Sequence, residues 1–205
     1  MRRSTGIWIA LLTVLLAGKP TPPAEATSDL VVPPAGYSYQ AVVDCPFPGV
    51  VYQACEDQMQ RLATNLAAAK AEGKLLLVVL GADWCPWCRA LERLLPSDQV
   101  LARKDELFDF PARYAITNIA TSAVSKGKKV PVPSGEAVVS LLMSHANAAR
   151  PRSIPYLVII DPKSGGVVHR NSADLEDPWN KDGGHDASKI REELRAAYAT
   201  LRPAG

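Results

Sequence analysis

Apolar and polar positions follow different rhythms along the chain, and each change of rhythm marks an element. Met59, Leu62, Leu66 and Ala69 recur at three- and four-residue steps, which predicts a helix from about Glu56 to Glu72, ended by Gly73. Lys74 to Gly81 (KLLLVVLG) is a short, unbroken apolar run, the pattern of a strand buried on both faces. Leu91, Leu94 and Leu95 then mark one face of a second helix that runs to Pro96. Arg113 to Thr121 alternates as a strand does, and Gly135 to Ala146 returns to helical spacing through Val138, Leu141, Leu142 and His145. Tyr156 to Ile160 is another apolar run. The turn sequence Asp161-Pro162-Lys163-Ser164-Gly165-Gly166 and then Val167 to Arg170 follow it, which predicts a hairpin. Asp186 is placed to cap a last helix with Ile190, Leu194, Tyr198 and Leu201 on one face. Ahead of all these, Tyr37 to Val43 is rich in aromatic and β-branched residues and reads as a first strand. Lys126 to Pro133 reads as a basic, proline-broken loop, and Asn171 to Gly184 as a polar one.

This order of elements mixes parallel and antiparallel pairing, with helices covering a central sheet, and so predicts an α/β fold. At 205 residues, 47% of them apolar, the chain suits one domain with extensions and can bury a real core. The N-terminus departs from the rest. Arg2 and Arg3 precede the apolar run Ile7 to Ala17, which Gly18, Lys19 and Pro20 end before it is long enough to span a bilayer comfortably. Ala24-Glu25-Ala26 offers a cleavage site, so residues 1–26 are expected to be a signal peptide, with an uncleaved anchor as the alternative. Either way the body is expected outside the cytoplasm, in the bacterial periplasm, where disulfides persist. Residues 27–54 read as a linker and strand extension, and 55–205 as the folded domain.

Without the N-terminal segment, twenty basic and twenty acidic side chains remain. A neutral body gives no electrostatic case for binding nucleic acid. His145, His169 and His185 are scattered without ligand spacing, so no metal is expected, and no sequence feature calls for a cofactor. The Lys126, Lys128, Lys129 cluster reads as a solvated loop.

The chemistry concentrates where the buried strand meets the second helix, at Ala82-Asp83-Trp84-Cys85-Pro86-Trp87-Cys88-Arg89. Disulfide exchange needs one thiolate that attacks and a second thiol that resolves the mixed disulfide. Two cysteines at i and i+3 on the first turn of a helix meet both needs. The first sits at unpaired backbone N–H groups and the positive dipole end, and the second lies one turn on. Cys85 is therefore the expected exposed attacker and Cys88 the buried resolver. Pro86 suits the first helical position, where its missing N–H costs nothing. Trp84 and Trp87 bracket the attacking sulfur and are expected to wall a groove for substrate. A structural disulfide or a metal clip is the duller reading of the pair. Cys45 and Cys55 lie in a Pro-rich segment without CxxC spacing and are most simply a structural disulfide. A second redox pair and free thiols are the alternatives.

These residues resemble the thioredoxin superfamily. The stretch around Cys85 looks like that family's active site, and Ile154-Pro155 looks like its cis-proline with a preceding aliphatic residue. More narrowly, Asp83-Trp84-Cys85 and Glu92 resemble the C-terminal domain of the transmembrane disulfide reductase of the bacterial periplasm. The resemblance implies a thioredoxin fold with a central mixed sheet flanked by helices, an N-terminal extension, and a helical insertion before the cis-proline. It implies that Ile154, Pro155 and Tyr156 help bind an extended substrate chain, with protein thiols or disulfides as partners and a membrane redox partner as electron source. Three features depart from the pattern. Val79 stands where thioredoxin usually has a buried acid, which leaves proton handling for Cys88 to Glu92 or to water. Glu92 is read equally well as a solvated helical acid. Tyr156 replaces a common Thr, and the residues between the cysteines are Pro-Trp rather than Gly-Pro. The function expected is an exported protein dithiol–disulfide oxidoreductase, a reductant or isomerase rather than an oxidant. The alternatives are a copper assembly factor on the same fold, or a non-catalytic interaction domain.

Overall fold

The computed structural model describes residue 30 and residues 32–40, 51–102, 108–177 and 184–203. Its elements run α1 (Gln58–Ala71), β1 (Leu75–Gly81), α2 (Pro86–Leu94), α3 (Phe110–Arg113), β2 (Tyr114–Ala120), β3 (Ala123–Ser125), β4 (Lys128–Val130), α4 (Gly135–His145), β5 (Tyr156–Ile160), β6 (Val167–Asn171) and α5 (Ala187–Leu201), with a 3-10 turn at Ser172–Leu175. The expected signal peptide and Cys45 lie outside the described residues, as does most of the 27–54 extension.

Strand β1 is buried along its whole length because it is the inner strand of a four-stranded sheet ordered β2-β1-β5-β6. It pairs parallel with β2 and antiparallel with β5, and β5 pairs antiparallel with β6. Alternate side chains of a strand face opposite ways, so the run divides between two cores. Leu75, Leu77 and Val79, with Leu157 and Ile159 of β5, face α2 and α5 through Leu91, Ile190 and Leu194. Leu76, Val78 and Leu80, with Val158 and Ile160, face α1 and α4 through Met59, Leu62, Val138 and Leu142. The result is three layers, helices on both faces of a mixed sheet, as the sequence pattern predicts.

The helices start where polar caps place them. Asp57 accepts from the N–H groups of Met59 and Gln60 at 2.9 and 3.0 Å, and Asp186 accepts from those of Ser188 and Lys189 at 2.8 and 3.2 Å. Asp57 also ties down the preceding segment, taking the Gln40 N–H at 2.5 Å and the Tyr37 hydroxyl at 2.9 Å. Those contacts correct one expectation: Tyr37–Gln40 is an irregular strap held by the cap of α1, not a strand, and the rest of that run lies outside the described residues. Residues 51–54 are likewise not linker, since Tyr52 and Ala54 belong to the core.

The basic loop is also reordered. Ala123–Ser125 and Lys128–Val130 form a small antiparallel hairpin, turned by Lys126 at φ 49° and Gly127 at φ 74°. Positive φ at both turn positions matches the right-handed twist of two strands, and Gly127 adopts it without a Cβ penalty. Within the polar 171–184 stretch, the 3-10 turn and a bridge between Glu176 and His185 give local order. No described helix is long and apolar enough to cross a membrane.

Candidate active site

Strand β1 ends at Gly81, and four residues later the chain enters α2. Cys85 occupies the N-cap of that helix and Pro86 its first turn. The Cys88 N–H donates to Cys85 Sγ at 3.4 Å, so one of the helix's orphan donors points at the sulfur. An N–H group and the helix dipole together favour negative charge there. From the other side, Cys85 Sγ lies 3.6 Å from the carbonyl oxygen of Ile154, to which its thiol proton can donate. The Ile154–Pro155 peptide is cis, and Pro155 is held by the Ser172 hydroxyl, which donates to its carbonyl at 2.5 Å. Residues from two distant parts of the chain thus meet at one sulfur.

Both cysteines are free thiols. Cys88 is fully enclosed, and Cys85 is only 5% exposed, which corrects the expectation of an exposed attacker. The reason is the packing of Trp84, Trp87 and Ile154 against the same core as the two sulfurs. Burial pushes the Cys88 thiol well above the ordinary thiol range. The neighbouring Cys85 adds to the rise, while the Ala82 backbone amide and the Tyr52 hydroxyl oppose it. Cys88 is therefore held as a neutral S–H in the resting reduced pair.

The two tryptophans, half-buried against the cysteines' core, are held by different neighbours. Trp84 donates its indole N–H to the Ser122 hydroxyl at 3.2 Å, and Lys129 Nζ sits 3.9 Å over its ring. That cation–π contact gives one of the three clustered lysines a place at the site, although the sequence reads all three as a solvated loop. Trp87 meets the ring of His185 edge to face at 5.7 Å. His185 is buried, neither of its ring nitrogens has a hydrogen-bond partner among the described residues, and burial pushes its pKa down to about 4.

One expected site residue turns away from the sulfurs, and another stays near α2's cysteines in sequence but makes no polar contact among the described residues. Tyr156 turns its ring to the opposite core, where its hydroxyl lies 2.6 Å from His169 Nδ1. The cause is strand alternation: Leu157 faces the cysteine side, so Tyr156 cannot. Glu92 is half-buried on α2 and makes no hydrogen bond or ion pair among the described residues. Conversely, the sequence reading passed over Tyr52, whose ring is fully buried beside the cysteines. The available signal was Val50-Val51-Tyr52, an apolar triplet inside an otherwise turn-rich segment.

Cys55 is held in a disulfide, and Cys45, its expected partner, lies outside the described residues. Among the described residues, no group of three or more His, Cys, Asp or Glu side chains could hold a metal ion.

Residues 57–111, from the cap of α1 through the cysteine helix to the start of α3, match the Thioredoxin-like family. No curated protein is matched. Similar solved structures include a disulphide isomerase from Xylella fastidiosa Temecula1, at 18% identity and a TM-score of 0.40, covering 75% of this chain and 88% of that one. A thioredoxin from Thermus thermophilus is similar at 17% identity and a TM-score of 0.38, covering 68% and 85%. A structure titled DsbH Oxidoreductase is similar at 14% identity and a TM-score of 0.33, covering 83% and 96%. The sheet order, the place of the two cysteines at the start of α2 and the matched segment are those of a thioredoxin-like α/β fold.

Proposed function

We propose that this protein is an exported thiol–disulfide oxidoreductase that exchanges disulfides with protein substrates through Cys85-Pro86-Trp87-Cys88, and that it works as a reductant or isomerase. One observation carries the reading: Cys85 caps α2 with the Cys88 N–H on its sulfur, while Cys88 waits one turn below as a buried thiol. In the reducing direction the Cys85 thiolate attacks one sulfur of a substrate disulfide. That S–S bond breaks, a mixed disulfide forms, and the departing substrate thiolate takes up a proton. Cys88 then gives up its proton and attacks Cys85 Sγ. A Cys85–Cys88 disulfide forms, the second substrate thiol leaves, and two electrons have passed to the substrate. A dithiol donor at the membrane would reduce the pair again.

The expectation of export rests on Arg2, Arg3 and the apolar run that follows, and the disulfide at Cys55 fits an oxidising compartment. The reducing direction rests on Ile154 before the proline and on the Asp83-Trp84 flank. Trp84, Pro86, Trp87, Ile154 and Pro155 would bind the substrate chain around the sulfur.

Trapping tests the assignment. Cys88→Ser should accumulate mixed disulfides with protein substrates, and Cys85→Ser should form none. Equal trapping by both variants, or none by either, would refute it. The reduction potential of the pair, measured against glutathione, then fixes the direction of electron flow.

A further inference from the structure

Behind the two sulfurs lies a phenol that the exchange steps above do not use. Tyr52 is fully buried in the same core as Cys85 and Cys88. Its position is held from two sides. The Asp83 carboxylate, two residues before Cys85, accepts from the N–H groups of Val51 and Tyr52 at 3.2 and 3.4 Å. The ring then passes over the end of β1 so closely that a Cβ on Gly81 would lie 2.4 Å from the hydroxyl oxygen. Only a glycine leaves room for this approach.

What the hydroxyl does there is unusual. It completes no well-formed hydrogen bond, although a buried O–H without a partner is costly. The Cys88 and Cys85 sulfurs share its core, and both, with Asp83 beside them, help to raise its pKa. A fixed donor left unfilled beside a sulfur suits an acceptor that exists only in passing. Neutral S–H is a poor acceptor; a thiolate is a strong one.

We propose that Tyr52 is a further catalytic residue of the exchange reaction, donating its O–H to Cys88 Sγ as that sulfur becomes the thiolate that resolves the mixed disulfide. The inference rests on the exchange function proposed above. In this step the Cys88 proton ends on the departing substrate thiol, the Cys88–Cys85 bond forms as the substrate–Cys85 bond breaks, and the phenol keeps its own proton throughout. Burial and the nearby sulfurs push the phenol far above its ordinary value of 10.0, so it serves as a donor and not as a base. The ionisable groups facing the pair are Cys85 beside Cys88, and Asp83 beside Tyr52. Glu92 stands one turn beyond Cys88 on α2 and makes no hydrogen bond to it. With Val79 on β1 in place of an acid, the donor reaches Cys88 from the preceding loop instead.

The test uses the full-length purified protein and glutathione. The Cys85–glutathione mixed disulfide is formed, and release of glutathione is followed across pH in the wild type and in Tyr52→Phe. The variant should resolve the mixed disulfide at least about tenfold more slowly at neutral pH, since a hydrogen bond to a charged group is lost. Its rate should rise toward the wild-type value at higher pH. In the Cys88→Ser background, where only the first attack occurs, Tyr52→Phe should form the mixed disulfide at an unchanged rate. The variant should also melt no lower than the wild type, because it loses a hydroxyl without a good partner. Resolution at the wild-type rate and pH profile would overturn the proposal and leave the exchange function standing. Equal slowing of both steps together with a lowered melting temperature would overturn it in favour of a packing role. A wild-type protein that forms no mixed disulfide with glutathione or any protein disulfide would overturn both readings.

Discussion

The two faces of the sheet are built from the same strands and differ in what they bury. The face under α1 and α4 is mostly apolar: Leu76, Val78, Leu80, Met59, Leu62, Val138 and Leu142 fill it, with the Tyr156 hydroxyl, paired to His169, and an unpartnered Thr117 hydroxyl among the exceptions. The face under α2 and α5 holds aliphatic residues too, but also two thiols, the Tyr52 hydroxyl and the His185 ring. Good packing alone does not need those groups, and burying polar atoms without partners works against stability. The contrast sets a face that holds the domain together against one that keeps unfilled hydrogen-bonding capacity in the core of the two thiols.

The largest expected effect separates those roles. Leu142→Ala, on the apolar face, should cost about 2–5 kcal/mol of unfolding free energy through the cavity it leaves. The rate of disulfide exchange in the folded protein should hardly change. Gly81→Ala should do the reverse. Its Cβ would press on the Tyr52 ring and hydroxyl, so exchange should fall sharply for a smaller stability loss of about 1–3 kcal/mol. Denaturant unfolding and exchange kinetics on both variants check this, and loss of exchange in Leu142→Ala at temperatures where it is folded would break the comparison.

A second test concerns how the site face is pinned. Cys55, held in a disulfide, lies three residues beyond Tyr52. Replacing both Cys45 and Cys55 by Ser should lower stability by roughly 2–3 kcal/mol, mainly by freeing the unfolded chain. Formation of the mixed disulfide at Cys85 should survive, with slower resolution as Tyr52 loses its anchor. Labelling of Cys55 in step with Cys85 during turnover would show a relay instead of a structural bond.

The smallest effect is a pH dependence carried by His185. Its pKa lies at about 4 in the folded protein against an ordinary 6.5, because the buried ring resists charging. Below pH 6.5 the unfolded chain takes up a proton that the native ring refuses. Stability is therefore lost as pH falls, most of it between 6.5 and 4, and the loss levels off below that. Asp57, Asp161 and Asp186 are held below their usual range and also lose stability in acid, so a difference measurement is needed. From pH 7 to 4.5, the wild type should lose roughly 2 kcal/mol more than His185→Leu, read by urea unfolding. Equal losses would mean that the ring protonates in place.

Much of this was legible from local pattern. Pro86 after Cys85, directly behind a buried run, marks a helix start with a cysteine at its cap, because the geometry of a first turn depends on a few adjacent residues. Asp186, Gly73 and the Asp161–Gly166 turn were readable for the same reason. Other features escaped. The Lys126-Gly127 hairpin lacks the Asn-Gly or Asp-Gly pair that usually announces one. The side chain of Tyr156 was assigned to the wrong face because a strand's parity is settled by its partners in the sheet.

By itself, then, the sequence determined the longer helices and the four strands of the main sheet, roughly where they begin, and that two thiols share the first turn of α2. Those are consequences of spacing, capping and turn chemistry, which act over a few residues. The tertiary structure decided which groups surround the sulfurs. Ile154 reaches Cys85 because β5 runs antiparallel beside β1, Lys129 reaches Trp84 from a hairpin, and Tyr52 joins the cysteines' core from a loop before α1. Contacts between segments far apart in the chain depend on strand order and register, and no local pattern carries that information.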